Sequence, residues 1–274
     1  MAVNLASKYS EKIDEKFLRA AVTTPAVNND YDFVGVKTVN VYSVGSAKLN
    51  DYKRTGANRY GTPEELDTTV QEMTLSQDKA FTFTIDRGNY EDAQMVLEAG
   101  KALKAQIDGV VVPEIDKYRL AKIVAGAGNT ATAKVTKSNA YEALLDGCTE
   151  LGEQNAPEVG RVAYVSPAYY KLLKLDDSFI KASDLAQEML IKGQVGMVDG
   201  VAIVMVPTSY LPEDVQFVIT NAVATVGPVK LAEYKIHEDA PGINGWLVEG
   251  RIYYDAFVLN NKKGAIYVHK TANA

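Results

Sequence analysis

Residues 86–124, DRGNYEDAQMVLEAGKALKAQIDGVVVPEIDKYRLAKIV, decide the fold of this chain. Apolar residues recur along it in steps of three and four, the spacing of one face of an α-helix. They are Ala93, Val96, Leu97, Gly100, Leu103, Ile107 and Val110. Asp86 suits the start of the helix and Gly126 its end. At about 1.5 Å per residue, the pattern predicts a helix of roughly 55–60 Å to which the other parts of the chain are attached.

A proline interrupts this helical pattern near its middle. Pro113 cannot donate the usual hydrogen bond to the carbonyl of residue 109, and its ring crowds that carbonyl. Because residue 109 is Gly109, the backbone there can yield. The pair predicts a bent helix with a hinge at Gly109 and Pro113, in place of two unrelated helices.

The chain before the helix predicts two extensions. Leu5, Ile13 and Phe17 lie on one face of a short N-terminal helix, which an extended connector, VTTPAVNND, joins to the rest. Further on, β-prone segments flank residues 45–67, which have no apolar period and predict the polar tip of a projecting hairpin. We expect both extensions to contact neighbouring subunits. The expected contact residues of the tip are Lys48, Asp51, Lys53, Arg54, Arg59, Tyr60, Glu64 and Glu65.

Behind the long helix, a polar linker at 126–139 leads into mixed helices and strands. GRVAYVS predicts a buried strand, and Ser166 with Pro167 predicts the start of a helix. Ser183 begins a further predicted helix, and Asp199-Gly200 predicts a hairpin turn. The pattern of the tail, residues 229–274, predicts strands, which we expect to return beside the long helix.

Composition narrows the class of protein. The 274 residues are 47% hydrophobic and 23% charged, as in a folded protein with ample core material, and suggest one large or two modest domains. The net charge of −6 argues against a protein that binds nucleic acid tightly, and the one cysteine excludes an intrachain disulfide. Neither a secretory signal nor an apolar run long enough to span a membrane is recognised.

No residue pattern predicts catalysis, a cofactor or a metal site. Ser166 lacks the flanking glycines of a nucleophile elbow, and Cys148 lies on an apolar helical face. His237 and His269 have no ligand partner at metal spacing. Loop acids such as Asp176 are expected to be solvated. The sequence is therefore not expected to be an enzyme.

The order of parts resembles the major capsid proteins of tailed phages, with the Hong-Kong-97-type shell fold. An N-terminal arm, the hairpin ending in AFTFTID, the long helix NYEDAQ…YRLAKIV and a second domain carry the resemblance. In that domain the sequence segments that resemble the family are RVAYVSPAYYKLLK, GQVGMVDGVAIVMVP and GRIYYDAFVLNNKKGAIYV. The resemblance implies an α+β fold with an arm, an extended hairpin called the E-loop, a P domain with a spine helix and sheet, and an α/β A domain.

The implied domains follow in chain order. They are the arm at 1–32, the E-loop at 33–85, the spine helix and P domain at 86–139, the A domain at 140–228, and C-terminal strands returning to the P domain at 229–274. Some members form a Lys–Asn isopeptide bond between subunits. Lys48, Lys53, Asn260 and Asn261 are present here, but no matching motif places them, and that bond is not predicted.

The resemblance implies a structural protein whose copies form hexamers and pentamers of an icosahedral head around double-stranded DNA. The implied partners are a separate scaffolding protein, a portal, a decoration protein, and packaged DNA without sequence-specific contact. The implied location is the virion, after assembly in the host cytoplasm. The nearest alternative is an encapsulin-type nanocompartment shell. More distant alternatives are a soluble enzyme with an unrecognised site and a monomeric binding module.

Overall fold

The computed structural model describes residues 21–31, 33, 37–88, 99–178 and 194–272. The predicted N-terminal helix with Leu5, Ile13 and Phe17 lies outside the described residues, as does the helix predicted to begin at Ser183. The helices are α1 (Ala99–Gln106), α2 (Val112–Ala125), α3 (Ala140–Glu153) and α4 (Pro167–Lys174), with a π-helical turn, Ile107–Val111, between α1 and α2. The strands are β1 (Thr38–Val44), β2 (Thr68–Thr74), β3 (Gln77–Asp86), β4 (Asn129–Thr132), β5 (Arg161–Val165), β6 (Gln194–Val198), β7 (Val201–Met205), β8 (Val215–Asn221), β9 (Thr225–Val226), β10 (Val229–Glu238), β11 (Gly245–Tyr254), β12 (Phe257–Val258) and β13 (Tyr267–Lys270).

A six-stranded mixed sheet in the order β4-β13-β8-β5-β7-β6 lies between two helical layers. All of β5 is buried, as its sequence predicted. Ala163 and Val165 pack with α3 and α4 on one face, and Val162 and Tyr164 pack with α2 on the other. The close approach of α3 depends on Gly147, where a Cβ would come within 2.8 Å of the Tyr267 ring. The sheet is therefore covered on both faces, which explains why its strands read as continuous apolar runs.

Two local predictions in this layer are confirmed. Ser166 caps α4, where its hydroxyl oxygen accepts a hydrogen bond from the backbone N–H of Tyr169 at 3.2 Å. Asp199 and Gly200 form the turn between β6 and β7 with φ of 47° and 77°. Positive φ at both central residues is the signature of a type I′ hairpin turn.

His269 is buried in β13 with its ring stacked on Phe217, at a centroid distance of 4.9 Å. Its Nδ1 lies 3.3 Å from the Tyr267 hydroxyl and its Nε2 lies 3.3 Å from the Ala133 carbonyl oxygen. A neutral ring satisfies both contacts, with the hydroxyl donating to Nδ1 and Nε2–H donating to the carbonyl. Burial lowers the pKa of His269, against the opposing effects of the Ala133 carbonyl and the charge of Asp146.

We expect His269 to make the protein less stable on the acid side of neutrality. Because the pKa is lower in the folded state, the unfolded chain takes up the proton first as the pH falls through about 6.5. The free energy of unfolding should then fall by up to about 1.4 kcal/mol per pH unit relative to a His269→Gln variant. Urea unfolding of both proteins between pH 8 and pH 5 measures the difference. His237→Gln, at an exposed position, is the matched control and should keep the acid-side loss; equal pH slopes for wild type and His269→Gln would contradict this account.

A second sheet, in the order β10-β11-β3, packs one face on the long helix. Leu103, Ile107 and Ile115 of the helix meet Val248 and Ile252 of β11. Strands β10 and β11 of the tail thus lie against the helix. Residues 229–274 were expected to return beside the long helix as a group. Strand β13 does not, because it is inserted between β4 and β8 of the six-stranded sheet. Tyr267, Val268 and His269 of β13 are buried, and the six-stranded sheet covers both faces of the strand, which an edge of the smaller sheet would not do.

From Ala99 to Ala125 the long helix runs without a break across Gly109 and Pro113, and its predicted part at 89–98, with Ala93, Val96 and Leu97, lies outside the described residues. At its π-helical turn the Val112 N–H donates to the Ile107 carbonyl, five residues back. Such a turn holds more residues than an α-helical one, so residues four apart, Ile107, Val111 and Ile115, all face the sheet and are buried. The predicted stripe is wrong at Val110, which is 54% exposed because the wide turn shifts the register.

Strands β1 and β2 form the predicted antiparallel hairpin, with Thr38 opposite Thr74 and Val44 opposite Thr68. The chain then turns at Ser76, and β3 leaves the hairpin to pair with β11. The polar linker predicted at 126–139 is wrong in part, because it contains β4. Strand β4 pairs in parallel with β13, a partner so distant in sequence that no local signal announces it.

Candidate assembly surfaces

The tip of the hairpin, residues 45–67, is exposed almost throughout and is held by its own contacts. The Lys53 N–H donates to the Arg59 carbonyl at 2.9 Å, and Arg59 Nε donates to the Gly56 carbonyl at 3.2 Å. The rings of Tyr52 and Tyr60 meet edge to face at 5.1 Å. All the expected contact residues of the tip lie on this exposed loop, and whether a neighbour covers them stays a prediction. They are Lys48, Asp51, Lys53, Arg54, Arg59, Tyr60, Glu64 and Glu65.

Charge is divided along the tip. Residues 48–60 carry four cations against one carboxylate, and Glu64, Glu65 and Asp67 follow on the returning side. The cationic part stands out in a chain whose net charge is −6. Because surface potentials steer association between complementary patches, the tip is suited to an acidic surface on another copy.

One face of the hairpin carries an apolar patch that is uncovered within the described part of the chain. Tyr42, opposite Val70 in the ladder, is 70% exposed, and Val70 is 55% exposed. The other face turns inward, where Val39 and Val41 pack in a cluster with Met73 and Leu75. The hairpin therefore buries one side in its own subunit and presents an apolar patch outward, on the side that also carries Asn40 and Glu72.

The base of the hairpin is fixed by the buried carboxylate of Asp255. Its Oδ2 accepts hydrogen bonds from the backbone N–H of Ser76 at 2.7 Å and from the Ser76 hydroxyl at 2.8 Å. Its Oδ1 accepts from the Tyr118 hydroxyl of α2 at 2.8 Å. The Tyr253 hydroxyl adds a bond to the Leu75 carbonyl at 3.1 Å. The corner between β2 and β3 is thereby tied to both α2 and β11.

The root of the N-terminal arm is fixed by a second buried carboxylate, Asp116 of α2. It accepts hydrogen bonds from the backbone N–H groups of Val22 at 3.1 Å and Thr23 at 3.2 Å, and from the Thr23 hydroxyl. Arg119, three residues on and also buried, donates to the Gly227 carbonyl at 3.0 Å. The predicted extended connector is thus anchored at its start and forms a short 3₁₀ turn, Thr24–Ala26.

The two buried charges at the arm root compensate each other. Burial raises the pKa of the Asp116 carboxyl, and the hydrogen bonds from Thr23 and Val22 and the charge of Arg119 oppose this. Burial lowers the pKa of the Arg119 guanidinium, and the Asp116 charge opposes it. Removing either partner would leave the other buried without compensation, which is strongly destabilising.

The sequence missed this cluster. The sequence pattern singles out neither Asp116 nor Arg119, and both are buried. The available signal was position: Asp116 and Arg119 lie among Ile115, Leu120 and Ile123, on the stretch of α2 that packs inward. Because Asp and Arg are rarely buried alone, two opposite charges on the inward face of a helix are candidates for a mutually compensating pair.

The remaining candidate residues have structural surroundings. Cys148 lies on α3 and packs against the core between that helix and the sheet, and burial raises the pKa of its thiol. The expectation that Asp176 is solvated is wrong: it is buried, accepting hydrogen bonds from the N–H groups of Tyr141 at 3.0 Å and Ser178 at 2.9 Å. These donors at the start of α3 and of the next turn need an acceptor, which explains the burial. Among the described residues, no helix combines the length and apolarity needed to cross a bilayer.

Comparison with known proteins identifies the family to which this chain is similar. Residues 78–268 match the family described as phage capsid protein. Among solved structures, one from Mycobacterium phage Che8 is similar at 19% identity and a TM-score of 0.65, covering 91% of this chain and 90% of that chain. The capsid structure of the cyanophage P-SCSP1u is similar at 14% identity and a TM-score of 0.68, covering 90% and 86%.

A third similar structure is a virus-like particle from Pyrococcus furiosus, at 12% identity and a TM-score of 0.59, covering 98% of this chain and 100% of that chain. No curated protein matches in sequence. At these identities the solved structures show a shared fold, and the sequence match over most of the chain shows the family. The chain belongs to the phage capsid protein family, as a structural major capsid protein of the virion with the Hong-Kong-97-type fold.

Proposed function

We propose that copies of this chain join as hexamers and pentamers of an icosahedral head that encloses double-stranded DNA. The observation that carries the proposal is the hairpin of β1 and β2, with its inner face in its own subunit and its outer face and tip uncovered. Ordering a long polar loop without a core of its own is unfavourable in conformational entropy. A neighbouring copy in a repeating shell supplies the missing contacts.

The energy available to such a contact is substantial. Burying a large apolar side chain such as Tyr42 or Val70 contributes about 1.5–3 kcal/mol relative to leaving it exposed. The cationic tip adds charge complementarity toward an acidic surface. Each subunit both extends a hairpin and receives one, so the contact repeats around a closed ring.

Within this proposal the implied domains keep their roles, although β3 joins the sheet under the spine helix and β4 joins the six-stranded sheet. Residues 1–32 serve as the arm, 33–85 as the E-loop, 86–139 as the spine helix and P domain, and 140–228 as the A domain. Of residues 229–274, strands β10 and β11 support the spine helix, and β13 supports the A-domain sheet. We further propose that Leu5, Ile13 and Phe17 of the arm dock on an adjacent subunit.

The partners and place of assembly follow the same proposal. Assembly would take place in the host cytoplasm, with a separate scaffolding protein, a portal and a decoration protein as partners. Packaged DNA would be held without sequence-specific contact, which the net charge of −6 supports, since a basic lumen would bind DNA tightly. An encapsulin-type compartment is the second candidate, and it is favoured only by the likeness to the Pyrococcus furiosus particle.

Electron microscopy and size-exclusion chromatography of the purified chain test the proposal. Rings or shells of megadalton mass are expected, against the 29.8 kDa of one chain. Shells that take up DNA when expressed with the other head proteins support the phage reading. Shells that enclose a host enzyme instead favour the compartment, and a persistent monomer would contradict both.

The hinge at Gly109 and Pro113 gives this shell a testable property. By resemblance, shells of this type form round and then expand as the spine helix changes its bend. Pro113→Ala restores an N–H donor and favours regular α-helix by about 3 kcal/mol, which opposes the π-helical turn. We expect Pro113→Ala precursor shells to expand under milder conditions than wild type, as measured by shell diameter against pH or denaturant.

Gly109→Ala is the graded control for the hinge. A Cβ at Gly109 meets no other part of the described chain within 4 Å, so the substitution changes helix propensity without a clash. It should shift the expansion curve in the same direction by a smaller amount, since alanine is favoured by about 1 kcal/mol. Superimposable curves for wild type and Pro113→Ala, with an unchanged π-helical turn, would remove the support for a hinge.

A further inference from the structure

A single turn of α2, residues 116–119, holds the roots of both extensions. Asp116 and Arg119 bind the arm root at Thr23 and the neighbouring Gly227 carbonyl. Tyr118, between them in sequence, donates to Asp255, the carboxylate that also binds Ser76 at the hairpin base. The arm root and the hairpin base are separate segments of the chain, yet both are tied to this one turn.

The two ties lie on different sides of the helix. At 3.6 residues per turn, Asp116 and Arg119 fall on the same face, whereas Tyr118 is rotated about 200° from Asp116. The arm root therefore holds α2 from one side and the hairpin base holds it from the other. Further contacts reinforce both sides. The Tyr164 hydroxyl donates to the Val22 carbonyl at 2.9 Å, and the Tyr118 ring packs edge to face on Tyr254 at 5.6 Å.

We infer that the turn at 116–119 couples the arm to the hairpin, so that loosening either root loosens the other. A helical turn is stiff, because its backbone bonds fix the angles between successive side chains. A rotation of α2 that relaxes the bonds to Thr23 therefore moves the Tyr118 hydroxyl relative to Asp255. The inference rests on the proposed function in one respect: the coupling affects assembly only if both extensions contact neighbouring subunits. The coupling itself lies within one subunit.

Coupling of this kind is reciprocal. If the state of one root changes the stability of the other by some factor, thermodynamic linkage requires the same factor in the opposite direction. Two independent anchors on one helix would show no effect of either root on the other. A measurable effect in both directions therefore separates a shared anchor from two neighbouring ones.

Hydrogen exchange at backbone amides of the unassembled full-length chain tests the inference. Thr23→Val removes one hydroxyl from the arm root, and Ser76→Ala removes one from the hairpin base. Thr23→Val should speed exchange at the amides of Ser76 and Ala256, both bound to Asp255, by at least about fivefold. Ser76→Ala should speed exchange at Val22 and Thr23 by a similar factor.

The matched control is Thr149→Val in α3, which removes a threonine hydroxyl bonded to the Leu145 carbonyl far from both roots. It should leave all four reporter amides unchanged. Faster exchange confined to the mutated root would overturn the coupling, and so would a uniform rise that includes the amides of β5. Shell formation is scored separately by electron microscopy. Reciprocal exchange in a chain that forms no shells would contradict the proposed function and leave the coupling standing.

Discussion

Replacing residues 46–66 by a two-residue Asn-Gly turn is expected to abolish shell formation while leaving the subunit folded. The ladder continues to the end of the hairpin, where the Gly45 N–H donates to the Asp67 carbonyl at 2.8 Å, so a tight turn can close it there. The deleted residues are exposed almost throughout and hold one another, so the body loses little. Denaturant unfolding should change little, whereas electron microscopy should show rings and shells for wild type alone.

A point variant tests the contribution of the hairpin's apolar patch to assembly separately from that of its tip. Tyr42→Ser keeps the loop but removes an exposed apolar ring, and should raise the concentration needed for assembly about tenfold or more, at 1.4 kcal/mol per tenfold. Val159→Ser is the control, because Val159 is 90% exposed but lies on a loop outside the hairpin. Normal shells from the shortened hairpin would show that the tip is dispensable, and the assembly proposal would lose the observation that carries it.

The largest loss of stability is expected from Asp116→Ala. The substitution removes the acceptor for Val22 and Thr23 and leaves the Arg119 guanidinium buried beside a cavity. Leaving a buried donor without its acceptor costs about 1–3 kcal/mol for each group, and the loss of the charge that offsets the buried guanidinium adds to this. Chemical denaturation of the unassembled chain measures the loss, and limited proteolysis should show earlier cleavage near residue 22.

Two further variants identify the cause. Glu114→Ala removes an exposed carboxylate two residues away on the same helix and should change the free energy of unfolding by no more than about 0.5 kcal/mol. Asp116→Ala combined with Arg119→Leu removes the uncompensated charge and should recover part of the loss. A double variant no more stable than Asp116→Ala alone would indicate that the lost hydrogen bonds, and not the charge, dominate.

Features with local signals were predicted well from the sequence. Asp199 and Gly200 specify their turn through their tolerance of positive φ, and Ser166 specifies a helix start through its hydroxyl. The hairpin was predicted because strands and polar tip differ sharply in composition. Each of these signals acts within a few residues, so neighbouring sequence is sufficient to recognise it.

Features that depend on distant partners were missed or misplaced. The sequence gives no reason for β3 to leave the hairpin at Ser76, because its partner β11 lies far along the chain. The burial of Arg119 depends on the arm root and on Gly227. The contacts expected of Lys48, Arg59 and the other tip residues depend on a second subunit, and they remain a prediction.

The sheet topology also sets when a newly made subunit becomes able to assemble. Hairpin β1–β2 needs only neighbouring sequence and can form early in synthesis. The sheet under the long helix lacks its middle strand until residue 254 is made, and the six-stranded sheet lacks β13 until residue 270. At about 5–20 residues per second, a nascent chain therefore carries its hairpin for roughly ten seconds or more before its body can close. Under the proposed assembly, a growing subunit can then extend a hairpin before its own body is complete enough to receive one, so we expect incomplete chains on the ribosome not to seed a lattice among themselves.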